Sequence, residues 1–290
     1  MPNLKEIRAR IASVASTEKI TNAMKMVSAA KLKKTESVIL SFLPYRDKLN
    51  ETLSNYLCTM EEKVSIPLAE PREVKRVAII AFTSDSGLCG VFNANVNRLF
   101  RKTYDEYAKQ LGADQVELHL FGKKISDYAA KNGIVAQAIH PGMDEQLSYE
   151  MAAELSDLMT ERFLNHEIDR VVMVYNHYKN AGVQVPQCET LLPFDTQKLK
   201  PGEVFDYIVE PSKEAFVNAL APKVIRTQFY SIMLDTLTAE QGARMTAMHI
   251  ASDNANSLLQ DLRREYNRVR QNVITTELID IVGGAEALNH

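Results

Sequence analysis

The residues best placed to do chemistry in this chain lie in one short loop. Residues 74–82, VKRVAIIAF, form an apolar, β-branched run that reads as a buried strand. The loop TSDSGLCG follows at 83–90, and a helical pattern occupies 91–111. Strand, turn-rich loop and helix in that order mark the place where a layered α/β sheet binds a nucleotide. The loop offers serine hydroxyls, the carboxylate of Asp85 and the thiol of Cys89. It matches neither GxGxxG nor GxxxxGKS/T, and no lysine follows to reach a phosphate. A structural or protein-contact loop suits it better than a phosphate cradle. Cys89 would need a histidine base to act as a nucleophile, and the spacing puts none beside it; a small buried filler is the simpler role.

Elsewhere the chemistry thins out. The six histidines, His119, His140, His166, His177, His249 and His290, show no metal-ligand spacing. The three cysteines, Cys58, Cys89 and Cys188, are far apart and form no CxxC pair. Neither a zinc site nor a disulfide framework is indicated, and a reducing compartment fits. Lys31, Lys33 and Lys34 cluster on a helix without interleaved aromatics, a weak pattern for a nucleic-acid surface. No catalytic, cofactor-binding or metal-binding residue is assigned.

The elements that must carry these residues are of two kinds. Residues 3–43 hold no proline or glycine and repeat apolar residues at helical spacing: Leu4, Ile7, Ile11 and Val14, then Ile20, Met24, Val27, Leu32 and Ile39. Asn3 and Glu6 suit a helix start. Pro44 is expected to kink this helix before the pattern resumes through Leu49, Leu53 and Leu57. At the other end, no proline follows Pro222, and Tyr230, Leu234, Leu237, Met248, Ala251, Ala255, Leu258, Leu262 and Val269 keep a narrow stripe. Ser212 is read as the cap of a short helix, with Pro222 in the first turn of the long one. Carried to about residue 282, that rod would be roughly 90 Å long, too long for a compact domain to enclose. The two long helices are expected to pair antiparallel as a loose coiled coil.

Between them the period changes. After a linker at 59–74, strands are predicted at 74–82, 116–121, 134–139, 168–177 and 183–192, and helices at 91–111, 123–131 and 146–164. Residues 180–182, Asn-Ala-Gly, give a hairpin signal, and Pro186 places the last strand at an edge. A proline-bearing connection fills 193–211. The pattern implies a layered, Rossmann-like α/β domain, mostly parallel with an antiparallel end. Three parts result: an N-terminal coiled-coil helix at 1–58, a central α/β domain at 74–208 and a C-terminal coiled-coil helix at 212–290.

Charge adds one asymmetry. The whole chain carries −3, whereas residues 1–43 hold eight Lys/Arg against three acids, a local +5. That helix suits an acidic partner or simply a solvated face. No apolar run is long enough to span a membrane, and the charge-threaded start is not a signal peptide. The C-terminal tip is unusual in the other direction. Leu278, Ile279, Ile281 and Val282 extend around the helix, which suggests a tip enclosed by other subunits. Gly283 and Gly284 are read as a helix stop or a point of close backbone approach. From the residues alone, a shaft-like assembly subunit, a nucleotide-using enzyme and a coiled-coil nucleic-acid adaptor all stay open.

Four blocks narrow this. Residues 274–287, ITTELIDIVGGAEA, resemble the pattern I/V-T-x-E-x-x-D/E-x-x-x-G-A-x-S/A/K/R of the F-type ATP synthase gamma subunits and match every fixed position. Residues 19–34 (KITNAMKMVSAAKLKK), 83–93 (TSDSGLCGVFN) and 240–248 (EQGARMTAM) are similar to that family's N-terminal helix, SDxGLCGxxN loop and EQxARMxAM segment. The resemblance runs end to end. It implies a non-catalytic central rotor shaft that couples proton flow to ATP synthesis or hydrolysis at the beta-subunit sites. It also implies alpha, beta and epsilon subunits and a membrane c-ring as partners, with no cofactor and no nucleic acid. The location implied is the cytoplasmic face of a bacterial inner membrane, reached only through the complex. Carried over by motif position, Met24, Arg244, Gln271, Thr275 and Glu277 are expected at partner contacts, Arg270 is expected to join them as their neighbour, and Asp85 is expected to face the lower surface of the alpha–beta ring.

Overall fold

The computed structural model describes residues 4–59, 66–140, 142, 147–195, 209–210 and 212–288. The Asn3 cap, the linker at 60–65, the proposed helix start at Gln146, the connection at 196–208 and His290 lie outside the described residues. Among the described residues the α-helices and strands follow in the order α1 (Leu4–Thr59), β1 (Val77–Phe82), α2 (Phe92–Leu111), β2 (Val116–Phe121), α3 (Lys123–Lys131), β3 (Ala138–His140), α4 (Tyr149–Leu164), β4 (Arg170–Asn180), β5 (Val183–Leu192) and α5 (Lys213–Leu288). The chain divides into two compact units, Met1–Ser28 with Met245–His290, and Ala29–Arg244.

In the larger unit the five strands run β3-β2-β1-β4-β5, parallel except for β5, which is antiparallel to β4. The central strand β1 is buried along all six residues, as expected of a parallel strand covered on both faces. Its alternate side chains serve two cores. Val77, Ile79 and Ala81 pack with Val96 and Phe100 of α2 and Ile125 of α3. Ala78, Ile80 and Phe82 pack with Met159 and Phe163 of α4, Leu53 of α1 and Val224 and Phe229 of α5. Both long helices therefore take part in the core of the sheet's second face.

β5 is an edge strand, with Pro186 opposite Asn176, as the missing N–H requires. The strand predicted at 134–139 is shorter, only Ala138–His140, because Gly133 turns with positive φ and Ile134 is drawn into the core instead. α4 starts at Tyr149, where the Ser148 hydroxyl accepts from the Met151 N–H at 3.2 Å.

Expectations about helix ends are corrected at Ser212 and at Gly283. Ser212 does cap, accepting from Ala215 N–H at 3.2 Å, but the helix it starts is α5 itself, and Pro222 lies inside it. Pro44 also lies inside a helix, α1, which resumes after it through Leu49, Leu53 and Leu57 as expected. Each proline leaves the carbonyl four residues earlier without its helical donor. Those residues, Leu40 and Asn218, are exposed, so water can serve in its place. Gly283 and Gly284 do not end α5, which runs on to Leu288.

Within the larger unit α1 and α5 run antiparallel. Phe42 meets Tyr230 with ring centroids 5.0 Å apart, and Tyr56 meets Phe216 at 4.9 Å, so partner numbers fall on α5 as they rise on α1. In the smaller unit the residues withdrawn from solvent on α1 include Leu4, Ile7, Ile11, Val14, Glu18, Thr21, Lys25 and Ser28. Those on α5 include Met248, Ser252, Ala255, Leu259, Leu262, Tyr266 and Val269. Both sets alternate steps of three and four, the 3.5-residue repeat of a coiled coil. The Thr21 and Ser252 hydroxyls meet at 2.8 Å. The predicted stripe is corrected accordingly. Ile20 and Val27 are each 57% exposed and Leu258 is 45% exposed, while polar Thr21, Ser28 and Ser252 occupy the seam.

Candidate functional site

The loop singled out in the sequence is locked by its own side chains. Asn93, in the first turn of α2, accepts from Ser84 N–H at 3.1 Å and donates to the Ser84 hydroxyl at 2.8 Å and to Cys89 Sγ at 3.1 Å. The Ser84 hydroxyl donates to the Ser86 carbonyl at 2.6 Å. A phosphate cradle needs backbone N–H groups turned to an open concavity. Here the side chains of Ser84, Cys89 and Asn93 are tied to one another, and Cys89 is 1% exposed.

Residues 83–85 also cap a neighbouring helix. The Asp85 carboxylate accepts from Lys123 N–H at 2.8 Å, the Ser84 carbonyl from Lys124 N–H at 3.2 Å, and the Thr83 hydroxyl from Ile125 N–H at 2.9 Å. Three orphan donors of the α3 N-terminus are thereby satisfied by a loop about forty residues earlier in the chain. A carboxylate there also complements the helix dipole. Asp85 remains exposed, with one oxygen engaged inside the domain.

Beside the exposed Asp85 and Ser86 the loop also turns two apolar side chains outward. Leu88 has a left-handed backbone, φ 65°, and is 62% exposed; Val91 beside it is 67% exposed. A leucine held in that conformation and left in water is the kind of local cost that functional surfaces carry. The loop's inner side docks on α5. Cys89 and Phe92 pack with Ala239 and Ala243, and Arg244 donates from Nη1 to the Gly87 carbonyl and from Nη2 to Glu240. Side chains of Arg244 and Glu240 are 10% and 8% exposed, so the pair is desolvated. Two motif blocks about 150 residues apart are thus one surface.

The β4–β5 hairpin reaches the same stretch of α5. Asp235 accepts from Tyr178 N–H at 2.9 Å and pairs with His177 Nδ1 at 2.6 Å. Burial raises the Asp235 carboxyl above its usual value, against the pull of His177. The Tyr178 hydroxyl donates to Glu36 on α1 at 2.5 Å, and burial holds that phenol well above its ordinary range. Gly242 permits the approach: a Cβ there would lie 3.0 Å from Tyr178 Cε2 and 3.3 Å from Ala181 Cα. Sequence reasoning missed Tyr178, Glu36, Asp235 and Asn93. Two signals were available: Asn93 is the fixed asparagine of the SDxGLCGxxN block, and Gly242 is an isolated glycine inside a helical pattern.

The remaining expected contact residues lie in the smaller unit. Met24 is half-buried on α1. Arg270, Gln271, Thr275 and Glu277 are exposed on α5, and Thr275 spends its hydroxyl on the Gln271 carbonyl at 2.9 Å. At about 100° per residue, Arg270 and Glu277 share one side of the helix and Gln271 and Thr275 another. All residues from 271 to 285 are exposed, including Leu278 at 57%, Ile279 at 64%, Ile281 at 67% and Val282 at 62%. Among the described residues no three His, Cys, Asp or Glu side chains group as a metal site, and no helix is long and apolar enough to cross a membrane.

Comparisons with known proteins agree with this architecture. A family model described as ATP synthase matches residues 3–288. The ATP synthase gamma chain of Phocaeicola vulgatus is 46% identical over 291 residues, covering 99% of this chain and 100% of its own. That of Flavobacterium johnsoniae is 46% identical over 290 residues, covering both chains completely. Among solved structures, a chain of the Euglena gracilis mitochondrial ATP synthase rotor superposes with a TM-score of 0.63 at 20% identity, over 93% of this chain and 98% of that one. A chain of the Tetrahymena thermophila mitochondrial central stalk and c-ring gives 0.57 at 24% identity, over 80% and 99%. Those structural likenesses speak for the fold; the bacterial relatives speak for descent. With the match spanning nearly its whole length, this chain belongs to the ATP synthase gamma chain family.

Proposed function

We propose that the chain is the central rotor shaft of a bacterial F-type ATP synthase, passing torque between a membrane c-ring and the catalytic sites of a surrounding alpha–beta ring. The observation that carries this reading is the tip of α5, fifteen consecutive exposed residues from 271 to 285 that include Val273, Ile274, Leu278, Ile279, Ile281 and Val282. Water is a poor solvent for such a surface: Ile274, Leu278, Ile279, Ile281 and Val282 spread over roughly 160° of the helix at about 100° per residue, and an exposed apolar face that wide calls for protein partners to cover it. The outward-facing Ile20, Met26 and Val27 of α1 extend the same demand.

In this reading the shaft makes and breaks no covalent bond. Met24 and the polar residues Arg270, Gln271, Thr275 and Glu277 meet the alpha and beta subunits inside the ring. Arg244 and Asp85 serve the base of the ring through the loop they hold. The 74–208 domain stands below, against the epsilon subunit and the c-ring. The basic stretch of α1 faces acidic segments, in contacts of roughly 0–1 kcal/mol each, weak enough to exchange on every turn. The assembly lies at the cytoplasmic face of the bacterial inner membrane, and this chain reaches the membrane only through its partners.

The test is reconstitution. The alpha and beta subunits of the same organism, mixed with the chain, should yield a stable complex with one copy of it per ring and an ATPase that turns a bead fixed to the chain. A chain that stays separate from the ring, leaving the ATPase unchanged and no rotation, overturns the reading.

A further inference from the structure

We infer that the end of the β4–β5 hairpin, centred on Tyr178, is the torque joint that fixes the α/β sheet to both long helices. This rests on the rotor reading above. Tyr178 is held at three places: its hydroxyl on Glu36 of α1 at 2.5 Å, its N–H on Asp235 of α5 at 2.9 Å, and its ring edge against Gly242 of α5. Its neighbour His177 holds the second oxygen of Asp235 at 2.6 Å. All of these residues lie in one compact unit, Ala29–Arg244.

The mechanical argument concerns direction. Apolar packing resists separation of surfaces but is non-directional, so it resists sliding poorly. A twisting load on two parallel rods is tangential, and it is opposed best by directional bonds at points away from the axis, one on each rod. Tyr178 supplies both, one from the hydroxyl at the end of a rigid side chain with two rotatable bonds and the other from its own backbone N–H on the β4–β5 hairpin. The core of the second sheet face engages α5 as far as Met233. Asp235 and Gly242 come after it, among the last attachments before this unit ends at Arg244. The Arg46 guanidinium donating to the Ser231 hydroxyl at 3.0 Å ties α1 to α5 one turn before Asp235 and keeps the rods from shearing past each other. The joint uses no residue of the four family motifs except Gly242, whose lack of a side chain makes room for it.

The experiment uses the assembled enzyme with its alpha–beta ring immobilised and stalled, and a bead coupled at the exposed Lys109→Cys on α2. The variance of the bead's angle reports torsional stiffness. Tyr178→Phe and Glu36→Ala should each raise that variance about twofold, and the double variant should do no more, since the two residues form one bond. Glu36→Gln keeps an acceptor oxygen and should restore the wild-type variance. ATPase rate and the melting temperature of the complex should be unchanged in all four, which separates a joint from a merely stabilising contact. Unaltered variance in Tyr178→Phe, additive effects in the double variant, or a fall in melting temperature that accounts for the change would each overturn the inference. Wild-type enzyme that fails to assemble or rotate would instead count against the rotor reading.

Discussion

Arg244 on α5 donates to the carbonyl of Gly87 in the β1–α2 loop, although 157 residues separate the two in the chain. The bond makes the loop and the helix one body, and it gives Arg244 an internal occupation in addition to any contact with a partner. The second occupation is Glu240, four residues back on the same helix and almost fully buried.

Arg244→Ala should therefore be costly before any partner is present. Removing one member of a desolvated ion pair costs about 3–5 kcal/mol, because the other charge stays in a low-dielectric site. Arg244→Met with Glu240→Leu should recover much of that loss, since well-packed apolar replacements of a buried pair are often neutral. Denaturant unfolding of the isolated chain measures both. If Arg244→Ala leaves unfolding unchanged and weakens only assembly, Arg244 is a pure partner contact.

Gly122→Ala should destabilise the larger unit. Gly122 has φ +94°, which side chains rarely tolerate, and a Cβ there would lie 2.2 Å from the Thr83 carbonyl oxygen, which is backbone and cannot move aside. The strain falls where Thr83, Ser84 and Asp85 cap α3. A loss of about 2 kcal/mol or more is expected, from strain plus a disturbed cap, and thermal unfolding checks it.

The sheet was largely legible because its signals are local. The 116–121 and 183–192 strands and the 123–131 helix agree with the structure residue for residue. The coiled-coil seam was less so, and Ile20 and Thr21 show why. Apolar Ile20 is the natural choice for a core position, yet the 3.5-residue repeat set by Ile7, Ile11, Val14 and Leu32 assigns the seam to Thr21. The sequence spends its hydrophobic residues on the outside there, which composition-based reading inverts. Pro222 misled for another reason. Its freed carbonyl can be served by water, and this tertiary detail turned an expected helix start into a helix interior. The joint at Tyr178 was invisible because its partners, Glu36 and Asp235, lie on elements whose contacts no local pattern encodes.

His119 should give the chain an acid-sensitive stability. It is 6% exposed on β2 and neither ring nitrogen has a hydrogen-bond partner. Burial depresses it from the usual 6.5 to about 4, with the nearby His140 acting in the same direction and Glu117 opposing it. The unfolded chain takes up a proton near pH 6.5 and the folded chain does not until about 4. Stability is thus full above pH 6.5 and declines through that window by on the order of 3 kcal/mol, at 1.36 kcal/mol per pH unit. His140, also lowered by burial, adds to the decline, whereas Asp235, raised by burial, opposes it. Comparing wild type with His119→Leu cancels those contributions. The difference in unfolding free energy should favour His119→Leu increasingly between pH 6.5 and 4.5, and parallel pH profiles would refute the assignment.

Removing residues 274–290 should separate folding from assembly. In the smaller unit the seam of α5 extends to Val269, and residues 271–285 are all exposed. Deletion from Ile274 onward therefore withdraws no buried side chain among the described residues, and unfolding of the isolated chain should change by no more than about 0.5 kcal/mol, the ordinary range for surface changes. In the complex the expectation reverses. Leu278, Ile279, Ile281 and Val282 each present a side chain worth about 1.5–3 kcal/mol if fully buried. Losing four of them should weaken association with the alpha–beta ring and lower ATP-driven proton pumping more than ATP hydrolysis. A milder variant, Leu278→Ser, should move in the same direction by up to about 2 kcal/mol of association energy. Equal affinity for the ring with and without the tip would mean that no collar closes around it, and the exposed apolar surface would need another explanation.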